Sequence, residues 1–321
     1  MGLLERFRRD RASVPPSAVS VAGDPGAASQ QAQVDDRAAA GEPSGTAALV
    51  DPGRRHLGSW LDVTADQLDE LRDGIERIYA GELDGATIRG VFTPEVMAAG
   101  VERIWEHRNE FRDHGKQIMF GTALVGADDD RSDYFAGAPT INDRIHSLFE
   151  VDFVERVSAV LSECGGGRPA VVPEEGGRPY VPATIRLLPA GRGVMHAHTA
   201  NEFCDVWAAY SHLRTVARMR DSLSYFVVGQ APEAGGQLEL YDLMWDDTPD
   251  DVLALGMSEE RDARLERFGS RLTDVGVGDM ILFTGGRIWH RVAPVEGGRE
   301  RITIGGFLAL SQDDRSIYFW S

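Results

Sequence analysis

The chain has 321 residues, 42% of them apolar, and its 33 Lys and Arg stand against 51 Asp and Glu for a formal charge of −18. That is enough chain for a sizeable hydrophobic core. The acidic field opposes binding to nucleic-acid polymers or anionic membrane surfaces, while leaving room for a small anion in a local Arg pocket. No apolar run approaches the ~18 residues of a spanning helix, and MGLLERFRRD lacks the apolar stretch of a signal peptide, so a soluble, cytoplasmic protein is expected. Cys164 and Cys204 are too few for a disulfide framework and fit a reducing compartment.

Residues 1–55 are rich in Ala, Gly, Pro, Ser, Gln and Asp, with Phe7 as the only aromatic residue, and are expected to form a disordered tail. Residues 56–178 read as a helical layer. Thr64 and Gln67 form a capping-box pattern ahead of Leu68, Leu71, Ile75, Ile78 and Tyr79. A second helix is predicted from Thr93-Pro94 through Met97, Val101, Ile104 and Trp105. A third runs from about Asn142 to Leu161 and stops at Gly165-Gly166-Gly167.

From 179 to 321 the texture changes to short strands: Ala183–Leu188, Val194–Ala200, Leu223–Gly229, Gln237–Tyr241, Met280–Phe283, Ile288–Val295, Arg301–Leu310 and Ile317–Trp320. Such strands, with turn signals between them, predict a mostly β fold with added α: a double-stranded β-helix, or jelly roll, packed against the N-terminal helices. The acidic, helix-forming segment at about 244–277 reads as an insertion, with a lid as one use for it.

Of eight histidines, His56, His107, His114, His146 and His212 have no partner at ligand spacing. His196 and His198 share one predicted strand and His290 lies on another. Alternate strand residues share a face, so His196, His198 and Ala200 are expected to project together. Structural, hydrogen-bonded histidines are the plain alternative. Arg301 precedes Thr303 by two residues, and a guanidinium fork beside a hydroxyl suits a carboxylate. Arg299 competes with Arg301 from the adjoining turn, and a salt bridge at a strand start is the ordinary reading of either.

Together with the run Gly278–Leu310, and with Gly235–Asp242 carrying Gln237 where Glu is usual, these residues resemble the C-terminal half of the Fe(II)/2-oxoglutarate-dependent oxygenases over about residues 180–321. The resemblance implies that His198 and His290 hold Fe(II), that Arg301 and Thr303 bind the far carboxylate of 2-oxoglutarate, and that O2 is consumed. That family spaces its first two ligands His-x-Asp or His-x-Glu. Here the run is His198-Thr199-Ala200, and alanine has no ligand atom. The resemblance is therefore to the halogenase-like branch, in which Ala or Gly leaves a coordination place to halide. It implies chloride as a further ligand and chlorination of an unactivated C–H in a small freestanding substrate. His196 would stand behind the ligands and orient one of them or the halide. A nucleotide or an amino acid is the substrate expectation; Arg214, Arg218 and Arg220 hint at phosphate but equally fit a solvated helix face.

Other readings use the same residues. A hydroxylase of the same fold would take its third ligand from Glu202 through a bulge. A cupin would hold one metal with His196, His198, Glu202 and His290. That scheme leaves Arg301 and Thr303 unexplained, and its second motif is broken by Thr284 in place of Pro and by His290 standing one residue late after Gly286. A non-catalytic binding protein has Ala200 as its only support. Thr199 and Asn201 flank Ala200, Arg186 reaches a substrate anion or a surface acid, Trp289 packs opposite His290, and Asp133-Tyr134 are candidates to close the pocket.

Overall fold

The computed structural model describes residues 57–124, 127 and 131–321, so the tail expected at 1–55 lies outside the described residues. Between 56 and 178, where the sequence predicts helices alone, the chain first makes strand β1 (Ser59–Thr64), helix α1 (Gly74–Ala80) and strand β2 (Leu83–Arg89), with β1 and β2 paired in parallel. The capping-box pattern starts only a 3-10 turn, Leu68–Leu71. β2 escapes pattern reading because both of its faces are buried, which leaves LDGATIR without an alternating signature.

Helix α2 (Pro94–Glu106) begins as expected, with the Thr93 hydroxyl accepting the Val96 N–H at 3.4 Å. Strand β3 (Ile118–Phe120) follows. The expected third helix is two, α3 (Ser132–Leu148) and α4 (Phe153–Cys164). Asp152 restarts the second by accepting the N–H groups of Val154 at 2.9 Å and Glu155 at 3.1 Å. The region is thus a mixed layer, and its strands join the barrel.

All eight predicted strands form. They are β4 (Thr184–Leu188), β5 (Met195–His198), β6 (Leu223–Gln230), β7 (Leu238–Met244), β9 (Met280–Phe283), β10 (Ile288–Val292), β11 (Arg301–Leu310) and β12 (Ile317–Trp320), with β8 (Ser270–Leu272) inside the insertion. β5 stops at His198 because Ala200 has turned helical (φ −70°, ψ −26°) to start the short helix α5 (Asn201–Cys204). The major sheet runs β1-β2-β9-β6-β11-β4-β3, with β12 pairing the far half of β11. The minor sheet runs β8-β7-β10-β5 and is antiparallel throughout.

Alternation along the strands builds the jelly roll. On β11, Arg301 and Thr303 line a cavity between the sheets, while Ile302 and Ile304 join the large core that includes Ile104, Ile145 and Val157 of the helices. On β10, Ile288 packs with Leu238, Leu240, Ile281 and Phe283, and Val292 packs with Leu188 and Val295, so that apolar contacts hold the two sheets together on either side of His290. Trp289 points the opposite way, into a cluster with Ala197, Tyr241, Leu243, Val252 and Leu265. Val252 and Leu265 come from the insertion, whose helix α6 (Glu259–Leu265) therefore covers the outer face of the minor sheet. Burying side chains of this size contributes about 1.5–3 kcal/mol each. Among the described residues no helix is long and apolar enough to cross a membrane.

Gly305 on β11 pairs with Phe226 on β6, and a Cβ there would overlap the Tyr225 carbonyl oxygen. Gly305→Ala is expected to cost at least about 2 kcal/mol, since backbone must move to accept it. Gly137 within α3 has space, its nearest neighbour being Ile141 Cδ1 at 3.8 Å. Gly137→Ala should be neutral or stabilise by up to about 1 kcal/mol. Thermal or urea unfolding of the two variants checks both signs.

Candidate active site

β5 and β10 place His198 directly opposite His290, with ring centroids 4.4 Å apart and planes inclined by 53°. Each Nδ1 meets a main-chain carbonyl two residues back: His196 O at 2.8 Å for His198 and Ile288 O at 2.9 Å for His290. A carbonyl only accepts, so Nδ1 carries the proton in both rings and each Nε2 keeps its lone pair. Phe283 packs edge-on against His290 at 4.9 Å. Burial lowers the His198 pKa to about 4, and burial, with electrostatic coupling to the His198 ring after it, holds that of His290 well below the ordinary imidazole value. Two convergent, neutral, oriented imidazoles fit a divalent metal of borderline softness such as Fe(II).

The pairing has an irregularity with consequences. His290 opposes His198, yet Val292 opposes Met195, so two steps on β10 match three on β5 and β5 carries a bulge. Met195 and His198 both reach the cavity, and Ala197 enters the outer cluster. The expectation that His196, His198 and Ala200 project together fails at the first of these. The His196 ring leaves the cavity, donating from Nδ1 to Asp262 at 2.9 Å and accepting the Lys116 ammonium on Nε2 at 2.8 Å. It is the main chain of His196 that touches His198.

Ala200 lines the cavity beside His198. Its N–H donates to Gly285 O at 2.9 Å and that of Asn201 to Gly286 O at 3.2 Å, which ties the turn after His198 to the turn before His290. Thr199 accepts the Glu202 N–H at 3.3 Å, and Asn201 exchanges hydrogen bonds with Asp221 at 2.7 and 2.8 Å, so both flanking residues serve the turn.

Arg301 is 4% exposed and lies over the Phe226 ring at 5.1 Å. Nη1 reaches the Thr303 hydroxyl at 3.4 Å, while Nη2 is buried without a partner among the described residues. Burial, and after it the neighbouring charge of Arg186, lowers its pKa to about 9. A guanidinium in this state lacks an anion, and a carboxylate supplies one. Arg299 is exposed in its turn, donating to Pro232 O at 3.4 Å.

The sequence of residues 57–321 matches the family model described as carrier-protein-independent halogenase WelO5. The chain belongs to that halogenase family. It is an enzyme of the iron(II)- and 2-oxoglutarate-dependent halogenase and oxygenase class. Among solved structures, the fold is similar to that of an N-substituted L-amino acid dioxygenase from Burkholderia ambifaria AMMD (17% identity, TM-score 0.52, covering 76% of this chain and 90% of that one). It is likewise similar to the same dioxygenase in complex with alpha-KG (16% identity, TM-score 0.50, the same coverage). No protein of curated function matches the chain.

In this halogenase-family chain Glu202 and Asp262 are otherwise engaged. Glu202 is gripped by both terminal nitrogens of Arg261, at 2.8 and 2.9 Å, with side chains 9% and 2% exposed. Asp262 accepts the Ala197 N–H at 2.8 Å as well as His196, and Arg291 lies 3.4 Å from it. Arg261 also stacks on Trp289 at 5.0 Å. The insertion is therefore fastened to the strand of His198 before that residue and to helix α5 after it. Among the described residues no group of three His, Cys, Asp or Glu is placed to hold a metal. The cupin set is not assembled, and Glu202 is not offered as a third ligand to a hydroxylase.

The cavity, about 250 Å³, is also lined by Gln117 and Met119 from around β3, by Met257 from the insertion and by Arg186 from β4, and the sequence singled out only the last of these. They are brought in from loops and sheet faces far apart in the chain, with no local motif to mark them. Tyr134 is in the core, donating to Ser321 O at 2.7 Å and accepting the Val181 N–H at 2.9 Å, so the Asp133-Tyr134 pair does not close the pocket. Arg214 donates to Cys204 O and Trp207 O, Arg218 pairs with Asp314 and Arg220 with Asp246, which removes the hint of a phosphate site.

Arg261→Met strands the Glu202 charge in a buried place and is expected to cost about 3–5 kcal/mol, most of it recovered in the Arg261→Met/Glu202→Gln double variant. Denaturant unfolding measures this. A Glu202 that served as a ligand would instead lose metal on Glu202→Gln, with no rescue by the second change.

Proposed function

We propose that the protein is a halogenase that places chloride on an unactivated C–H bond of a freestanding small molecule, using Fe(II), 2-oxoglutarate and O2. The observation that carries this reading is the pair of convergent neutral histidines beside Ala200, with Glu202 and Asp262 both held by other partners. His198 and His290 would hold the metal through Nε2, their Nδ1 bonds fixing tautomer and direction. With 2-oxoglutarate and O2, the iron supplies a one-electron oxidant able to take hydrogen from carbon. Ala200 offers no competing carboxylate, so chloride can lie next to the carbon radical that must be capped. Arg301 and Thr303 would hold the far carboxylate and so set the reach of the co-substrate toward the histidines.

The remaining lining supports a largely apolar substrate: Met119, Met195, Met257 and Phe203 on the cavity wall, with Met257 at 51% exposure where substrate would enter. No Asp or Glu among the described lining residues meets the ammonium of an amino acid, and the arginines that suggested a nucleotide are engaged elsewhere.

Anaerobic protein with Fe(II) and 2-oxoglutarate should show the weak visible band of a metal–keto-acid chelate, shifted by chloride. Ala200→Asp is expected to remove the shift and abolish chlorination, and Arg301→Ala to weaken the band. Chlorination that survives Ala200→Asp overturns the halide assignment, and a chelate that forms equally well in Arg301→Ala overturns the co-substrate assignment.

A further inference from the structure

We propose that Arg186 is a second carboxylate-binding residue, so that Arg186 and Arg301 together clamp both ends of a dicarboxylate and bind it even without metal. This inference rests on the co-substrate reading above and adds a residue and a property to it. Arg186 lies in the middle of β4, directly opposite Thr303 on β11. Opposed residues of an antiparallel pair share a face with Cβ atoms about 4.5–5.5 Å apart, and Arg301, two residues along, shares that face too. All three line the same cavity as His198 and His290.

The state of Arg186 is unusual for a strand arginine. Among the described residues its Nε, sealed from solvent, has no hydrogen-bond partner, and its terminal Nη1 contacts Met195 Sδ at 3.9 Å. Among the described residues no ion pair reaches it and no Asp or Glu lines the cavity. Burial lowers its pKa to about 10, which still leaves it charged at neutral pH. The cavity wall therefore presents two guanidinium charges between neutral imidazoles, and a 2-oxo dicarboxylate brings two negative charges. A halide or a monocarboxylate would satisfy only one of the two forks.

The test uses the full-length protein freed of metal by chelation, titrated by calorimetry with 2-oxoglutarate, glutarate, butyrate and chloride. Wild type should bind both dicarboxylates. Arg186→Met should weaken them about 10- to 100-fold, as expected for losing one charge-assisted bond, while leaving butyrate unchanged, and Arg186→Lys should recover part of the loss. Because the guanidinium is unpaired without ligand, Arg186→Met should raise the ligand-free Tm, whereas an arginine with a structural role would lower it. Unchanged dicarboxylate affinity in Arg186→Met, beside a loss in Arg301→Met, defeats the inference and leaves the co-substrate reading standing. A variant that loses chloride yet keeps 2-oxoglutarate assigns Arg186 to the halide and also defeats it. A wild type that binds neither dicarboxylate, with or without Fe(II), removes the co-substrate reading itself.

Discussion

His290 faces His198 across one rung of the minor sheet, and the chemistry proposed for the protein depends on that rung. Both rings are turned by their own main chain, through Nδ1 bonds of 2.8 and 2.9 Å, and both are made neutral by burial. The rung is braced from two directions. Apolar clusters join the sheets on either side of it, and helix α6 holds β5 from outside through Asp262 on Ala197 and holds α5 just after it through Arg261 on Glu202. The bulge in β5 lets one short strand serve both purposes, sending Met195 and His198 inward while Ala197 and the His196 ring engage the insertion.

Charge is sorted by the fold in a way that the net value of −18 conceals. Glu202, Asp262 and Glu239 all lie near the histidine strands, yet each is paired with an arginine or a histidine outside the cavity. Inside it, Arg186 and Arg301 have no acid among the described residues. A desolvated cation without a partner is costly, so such a cavity is held ready for anions, and an acidic exterior does nothing to prevent this because close, low-dielectric contacts outweigh the screened long-range field.

Much of the catalytic barrel is legible in the chain. Met280–Phe283, Arg301–Leu310 and Ile317–Trp320 form with the predicted bounds, because runs rich in Ile, Leu, Phe, Tyr and Trp between turn residues mark them. β2 is not legible, being buried on both faces, and neither is the break between α3 and α4, where Asp152 restarts a helix that the apolar stripe reads straight through. In the site, His198, His290, Arg301 and Thr303 are readable as residue types at a family's spacing, and they do line one cavity. His196 is misread because a bulge defeats strict alternation, and Arg186 is undervalued because nothing local shows that no acid will meet it.

Sequence alone determined the covalent facts: alanine rather than a carboxylate at position 200, two histidines on separate strands, and a guanidinium two residues from a hydroxyl. Those follow from residue identity and short-range periodicity, which the chain carries directly. Tertiary structure alone decided that Glu202 belongs to Arg261, that His196 turns away to Asp262 and Lys116, and that Arg186 stands opposite Thr303 facing the histidines. Each of these depends on strand register and on contacts between residues 59 to 117 positions apart in the chain, non-local pairings whose outcome is settled only when sheets close.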